Sequence, residues 1–541
     1  MSQPLLANIL PLRSGAPADP ELFPEAGPGA VGLCLSGGGS RALTCAMGQL
    51  RGLRHLGLLE QVFAISSVSG GTWANALFTY LPSDITDDEF LGAVMLDPAK
   101  LSLSVLGELS ANNLGQVPAR LNPPALLEGL VTLKETYGYA NSELWQGLVG
   151  ELILKDYQLW QPDAQGFDPR HVTWTNAYLR APRGPLARNP VLAADDFITV
   201  KRPRPVPVFN TSMFSNDGVD ADLIPFEANF MAGVRASFEA RGGMQGAVGG
   251  GLVETLVMAS SFLKDADPGL VQTTTPAHAF TLSDIVSASS AAFAQMLEEQ
   301  YPDFQGLVPR YAYWPVGART SQGALNYRFA DAGSLENLGV NALLARGVSR
   351  LIVFVNTDQG VCRDPFSGEV IVSDDIPPLF GLQPYAPGKG YVPYSANDPG
   401  EGPTRLYRHN QVFETAAFDA LKQGLLAARR AGGALLVRQQ LQVMANSWFG
   451  VPALQQPVEI LWVYNDQVSS WWNQLPWESR DLLTLESVDD FPLYGTFTQL
   501  YLTPTMVNAL AHLACWVVAS DSTLGNPGGL SNADMFRQMF A

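Results

Sequence analysis

The sequence predicts an α/β fold, a mixed and mainly parallel central sheet flanked by helices, with a helical cap. Two observations carry this. Short, uninterrupted apolar runs recur along the chain, as expected of strands covered on both faces. Between several of them lie stretches with helical spacing, and that alternation builds βαβ units. The supply of apolar residues agrees: of 541 residues, 47% are hydrophobic and 16% charged.

Residues 1–29, rich in Pro and Gly, read as a loosely held N-terminal arm, and 30–541 as the folded domain. Ala30–Leu35 is the first strand. From Arg41, apolar residues recur at Leu43, Met47, Leu50 and Leu53, one helical face, and Gly57 is placed to end that helix. Val62–Val68 is the second strand, followed by a helical run over Thr72–Leu81. From about 82 to 156 the pattern is helical without a strand, with Leu144, Leu148, Val149 and Leu152 on one face; this is the expected cap. Further strands are expected at VTWTNAYL, VPVFNTSMF, NYRFAD, RLIVFVNT and EILWVYND. The Pro/Gly-rich stretch 375–404 carries Phe380, Tyr385, Tyr391 and Tyr394. It reads as a surface insertion with packed aromatics, with a lid or lipid-touching loop as the alternative.

Charge and cysteine usage narrow the function. A net charge of −18 argues against nucleic acid as a partner and against general attraction to anionic lipid. The basic cluster Lys201, Arg202 and Arg204 reads as a solvated face. Cys34, Cys45, Cys362 and Cys515 are scattered and show no CxxC spacing, so neither a disulfide framework nor a zinc site is expected. A reducing compartment fits. The N-terminus lacks a basic start followed by a long apolar run, and no stretch of about 18 uncharged apolar residues occurs. The expectation is a soluble cytoplasmic chain that touches a membrane only peripherally.

Two glycine-rich turns carry the chemistry. In GLCLSGGGSRALTCAMGQL, three glycines separate a buried strand from a helix N-terminus, which aims free backbone N–H groups at one point. A phosphate-cradling loop would need Gly-Lys-Ser/Thr, and a dinucleotide fingerprint G-x-G-x-x-G; neither is present. After the second strand, SSVSGGTW places Ser69 at a strand end before Gly70 and Gly71, the layout of a nucleophile elbow. Ser67 stands where that motif usually has glycine. One helix separates the two turns, so both belong at the same end of neighbouring parallel strands, where open α/β sheets place their sites. Gly37, Gly38 and Gly39 then read as oxyanion donors serving Ser69.

A serine nucleophile needs a base. Asp331, at the end of the strand NYRFAD and before Ala332 and Gly333, is the candidate, with Glu336 as a fallback expected to face solvent. Of the histidines, His55, His171, His278 and His512 have no suitable setting. His409 follows Ser69 and Asp331 in the chain order of an α/β-hydrolase triad. The alternatives are that triad and a Ser–Asp dyad, whose carboxylate works best if partly desolvated.

SGGGSRA, SVSGGTW and DAGSLENLG, in this order, resemble the patatin-like and group IV cytosolic phospholipase A2 acyl hydrolases, more closely the latter. ELWQGLVGELI, VPVFNTSMF, PFEANF and FPLYGTFTQLYLTPTMVN add weaker echoes, and ASSAAFA is similar to the Ser-Ala-Ala segment of patatins. The resemblance implies a Ser–Asp dyad hydrolysing acyl esters of phospholipids or lysophospholipids, at a membrane or micelle surface, without metal or cofactor. It implies Ser69 as nucleophile, Asp331 as base, Gly37, Gly38 and Gly39 as oxyanion hole, and Arg41 on the substrate phosphate. The acidic run NDGVDAD at 216–222 does not match a calcium loop.

Overall fold

Val31–Leu35 (β1) is buried at every residue, as its unbroken apolar run demands. It lies at the centre of a larger set. In the computed structural model, which describes residues 4–11, 26–215, 221–238, 248–258, 260, 264–266, 269–273, 279–300, 305–313, 324–487 and 490–541, five strands pair in parallel through the middle of a mixed sheet. They are β1, Val62–Ser67 (β2), Val206–Phe214 (β3), Arg350–Val355 (β4) and Val458–Tyr464 (β5), in the spatial order β3–β2–β1–β4–β5. The expected loose arm at 1–29 is corrected in part: Leu5–Pro11 is a strand of the sheet, tied down by its ladder hydrogen bonds, while 1–3 and 12–25 fall outside the described residues, as do most of the acidic run at 216–222 and His278.

Antiparallel strands extend the sheet on both sides. Beyond β5 lies Leu435–Leu441. Beyond β3 come Leu223–Ala228, Met231–Phe238, Val248–Glu254, Leu5–Pro11 and Leu270–Thr273. Leu325–Ala330 joins near the end of β3, with Phe329 opposite Met213 and Ala330 opposite Ser212. This register matters. Ser67, the last residue of β2, pairs with Phe209, so residues 212 and 213 run past the tip of β2, and Ala330 hands the next residue, Asp331, to that tip.

One expected strand is only half a strand. VTWTNAYL contributes to His171–Thr175, paired with Phe197–Val200 outside the main sheet. It stops there because the Thr175 hydroxyl accepts from the Tyr178 N–H at 3.0 Å and caps a helical turn, Asn176–Arg180. The stretch 82–156 is helical, with Asp87–Leu91, Leu103–Gly107, Gln116–Arg120, Pro123–Val131 and Asn141–Val149. Within 375–404, Phe380 is fully buried against Phe413, Phe418 and Trp462. The Tyr394 hydroxyl donates to the Thr404 carbonyl at 2.7 Å. Arg202 and Arg204 are not a solvated face: both pair with the buried Asp87, at 3.0 and 2.6 Å, and Arg204 lies over the Phe78 ring. No described helix is long and apolar enough to cross a membrane.

Gly39–His55 (α1) follows β1 and ends where expected, before Gly57 at φ +68°. It is buried along almost its whole length because Pro504–Ala519 crosses its outer face. The crossing is close because Gly48 and Gly52 present no side chain: a Cβ at Gly48 would stand 2.1 Å from the Ala511 carbonyl oxygen, and one at Gly52 2.7 Å from the Val518 side chain. Backbone cannot yield as a side-chain tip can. Gly48→Ala is therefore expected to destabilise the fold by about 2 kcal/mol, read from urea unfolding midpoints; an unchanged midpoint would contradict this packing.

Candidate active site

Gly70–Thr79 (α2) follows β2 after a turn of two residues. At that turn Ser69 has φ +50° and ψ −120°. Among described non-glycine residues only Ser69 and Gln158 have positive φ, a conformation that costs on the order of 1–3 kcal/mol. The turn is held by its neighbours. The Ser69 N–H donates to Ser289 Oγ at 3.1 Å, and the Ser69 carbonyl accepts from Thr72 and Trp73. Ser67 replaces the usual glycine without obstruction, because its hydroxyl accepts from Thr72 Oγ1 and Asn75 Nδ2 at 3.1 and 3.0 Å.

The glycines explain why two turns can meet here. A Cβ on Gly70 would lie 2.0 Å from the Gly39 carbonyl oxygen, and one on Gly71 2.4 Å from that of Leu35. The first turn thus touches the second backbone to backbone. Gly38 and Gly39 have φ of +135° and +56°, which L side chains rarely adopt. The N–H of Gly37 is committed to the Asn337 carbonyl at 3.1 Å. Those of Gly38 and Gly39, at the N-terminus of α1, carry no hydrogen bond among the described residues.

Asp331 completes the group. Its Oδ2 accepts from the Ser69 hydroxyl at 2.8 Å and from the Ala292 N–H at 3.4 Å, and its Oδ1 from the Gly333 N–H at 2.7 Å. It is 2% exposed. Burial raises its pKa to about 6 against the opposing effect of those three hydrogen bonds. Gly38, Ser69 and Asp331 all line one cleft of about 450 Å³. An apolar cavity of about 210 Å³ lies behind it, lined by Trp73, Leu126, Leu130, Trp145, Leu148 and Phe293 among others. Phe293 of that cavity and Phe497 of the cleft meet edge to face, centroids 5.1 Å apart.

Other expected residues lie elsewhere. His409 stacks flat on Trp448 at 3.8 Å, and burial lowers its pKa to about 4; it is not part of the cleft lining. Among the described residues no histidine lines the cleft. Glu336 does not face solvent: it is buried, its carboxylate accepts from the N–H groups of Leu338, Gly339 and Asn341, and burial raises it to about 7. Arg41 does not face the cleft either. It is 3% exposed, and its guanidinium donates to the carbonyls of Asn356 and Tyr494 and to Thr496 Oγ1, with Asp358 at 3.3 Å. It ties the start of α1 to two loops, so its donors are engaged within the protein.

Sequence reasoning overlooked several neighbours. Ser289 and Ala292 belong to the segment ASSAAFA, noted for its resemblance alone, and only folding brings them to Ser69 and Asp331. Asn337 spans the site: its carbonyl takes the Gly37 N–H while its amide donates to Asp375 Oδ2 at 2.9 Å. Burial raises Asp375, also in the cleft lining, to about 6.

No family model matches the chain. One stretch of 128 residues is 33% identical to cytosolic phospholipase A2 beta of Homo sapiens, amounting to 23% of this chain and 15% of that protein. Among solved structures, human GIVD cytosolic phospholipase A2 aligns over 94% of this chain and 62% of its own, at 12% identity and a TM-score of 0.44. The same protein in complex with methyl gamma-linolenyl fluorophosphonate aligns over 97% and 61%, with a TM-score of 0.38. The chain therefore spans only part of the length of each relative. Likenesses this distant leave the chemistry of the cleft to its own geometry.

A carboxyl whose pKa is raised in the fold contributes stability below its unfolded pKa, about 4, and loses it as pH rises through the folded value. For Asp331 that window runs from about 4 to about 6. Asp331→Asn removes the cost of burying the charge. Relative to wild type, the variant is expected to gain on the order of 2 kcal/mol between pH 4 and pH 8, read from melting curves at the two pH values; a constant difference would contradict the raised pKa.

Proposed function

We propose that this protein is a lipid acyl hydrolase that cleaves fatty acyl esters of glycerophospholipids or lysophospholipids through an acyl-serine intermediate. The observation that carries the reading is the 2.8 Å hydrogen bond from the strained, buried Ser69 hydroxyl to the buried Asp331 carboxylate. Asp331 takes the hydroxyl proton as Ser69 Oγ attacks the ester carbonyl. The negative oxygen that forms is held by the N–H groups of Gly38 and Gly39, reinforced by the positive end of α1. Gly37 serves differently from its two neighbours, anchoring the loop through Asn337. Protonated Asp331 then gives its proton to the departing alcohol, and water activated by the same carboxylate releases the fatty acid. Every proton moves between Ser69, Asp331, substrate and water, so these steps draw on no metal or organic cofactor.

The apolar cavity behind Phe293 suits the acyl chain. Its lining comes from Pro123–Val131 and Asn141–Val149 of the helical region, from α2, and from the segment after Ser289. Similarity to cytosolic phospholipase A2 beta over 128 residues supports the same chemistry without fixing the headgroup. A second reading, hydrolysis of neutral lipid esters at a membrane or micelle surface, is favoured by one observation: Arg41 is turned into the protein. Comparing a phospholipid with a triglyceride of the same acyl chains separates the two.

A fluorophosphonate probe is expected to label wild type and not Ser69→Ala. Ser69→Ala and Asp331→Asn are each expected to lower kcat by at least about 10⁴-fold on a short-chain lipid ester, whereas His409→Ala keeps its activity. A histidine dependence would overturn the dyad. Because the working base is ionised Asp331, kcat/KM is expected to rise with pH through about 6. Leu130→Trp, which fills the apolar cavity, is expected to shift preference from long to short acyl chains at least tenfold; an unchanged preference would place the chain elsewhere.

A further inference from the structure

Among the described residues the cleft around Ser69 is lined by one cationic side chain, and it is not Arg41. Arg405 stands in the short helix Gly402–His409, which lines the cleft through Arg405, Leu406 and Tyr407. Several other arginines are engaged by carboxylates. Arg408, three residues on, pairs with Asp222, and Arg41, Arg204 and Arg346 are each matched by a carboxylate. Arg405 has no carboxylate partner among the described residues, and one weak bond, 3.4 Å to the Ala221 carbonyl, holds its guanidinium. The helix itself is firmly placed. Tyr394 donates to the Thr404 carbonyl, and beyond the helix Asn410 donates to the Leu335 carbonyl at 2.5 Å, next to the Asp331 turn. Tyr407 lies close enough to sense Asp375 and Asp331: burial first, and then their negative field, raise its pKa.

We infer that Arg405 binds the phosphodiester anion of a glycerophospholipid headgroup while Ser69 addresses the acyl ester. The assignment rests on the hydrolase reading above and supplies the charge that Arg41, committed to the protein, does not. A half-buried guanidinium with free donors matches phosphate oxygens in geometry and charge. In a chain of net charge −18, long-range attraction cannot gather anionic groups, so one fixed cation in the lining decides which lipid is retained. Phe497, also in the cleft lining, meets Phe293 of the apolar cavity. A phospholipid would place its acyl chain there and its headgroup toward Arg405.

The test measures binding without turnover. In the Ser69→Ala background, affinities for monomeric dihexanoylphosphatidylcholine and for dihexanoylglycerol are compared with and without Arg405→Ala, and melting curves verify folding. The ratio of the two affinities is expected to fall about tenfold with Arg405→Ala and to recover in part with Arg405→Lys. An unchanged ratio overturns the assignment. So does a competition arm in which inorganic phosphate displaces the phospholipid but Arg405→Ala leaves the lipid ratio intact, since that anion site would be separate from the headgroup. Turnover of the phospholipid by protein with Ser69 intact is read independently. Arg405-dependent binding without turnover defeats the hydrolase reading alone, and turnover with an unchanged ratio defeats the Arg405 assignment alone.

Discussion

Two backbone turns touch in this fold, and the cleft depends on that contact. Gly70 lies against the carbonyl of Gly39, and Gly71 against that of Leu35, at distances no side chain would permit. Parallel pairing of β1 with β2 brings the turns to the same level; glycine lets them close. The strained serine, the N–H groups of Gly38 and Gly39, which carry no hydrogen bond among the described residues, and the start of α1 follow from this junction. A methyl group at either position would push the two turns apart.

The second constraint is burial. Asp331, Glu336 and Asp375 are carboxyl groups within a few residues of the site, and burial raises all three toward neutrality. Their uses differ because their partners differ. Three backbone N–H groups hold the Glu336 carboxylate, which is not part of the cleft lining. Asp331 keeps one oxygen on the Ser69 hydroxyl. A group of ordinary chemistry becomes a candidate base through what the surrounding backbone leaves open to it.

Much of the scaffold was legible in the chain. Unbroken apolar runs mark β1, β2, β4 and β5 because a strand covered on both faces has no place for polar side chains. The two strand–turn–helix junctions were legible for a related reason, since consecutive glycines beside a buried strand have few structural uses. VTWTNAYL misled because Thr175 offers the backbone a cap that the apolar pattern does not register. Glu336 was expected in solvent because local sequence says nothing about which loop will cover it.

Local pattern alone determined which turns are sharp, which strands are buried and which hydroxyl and carboxylate stand at strand ends, because those depend on neighbours in the chain. Tertiary structure decided what meets at those ends. Ser69 and Asp331 are separated by 262 positions, and the register of Ala330 on β3 joins them. The same packing turned Arg41 inward onto Asn356 and Asp358, stacked His409 on Trp448, and left Arg405 facing the cleft. Side-chain direction at such positions is set by partners hundreds of residues away, and no periodicity in the chain encodes them.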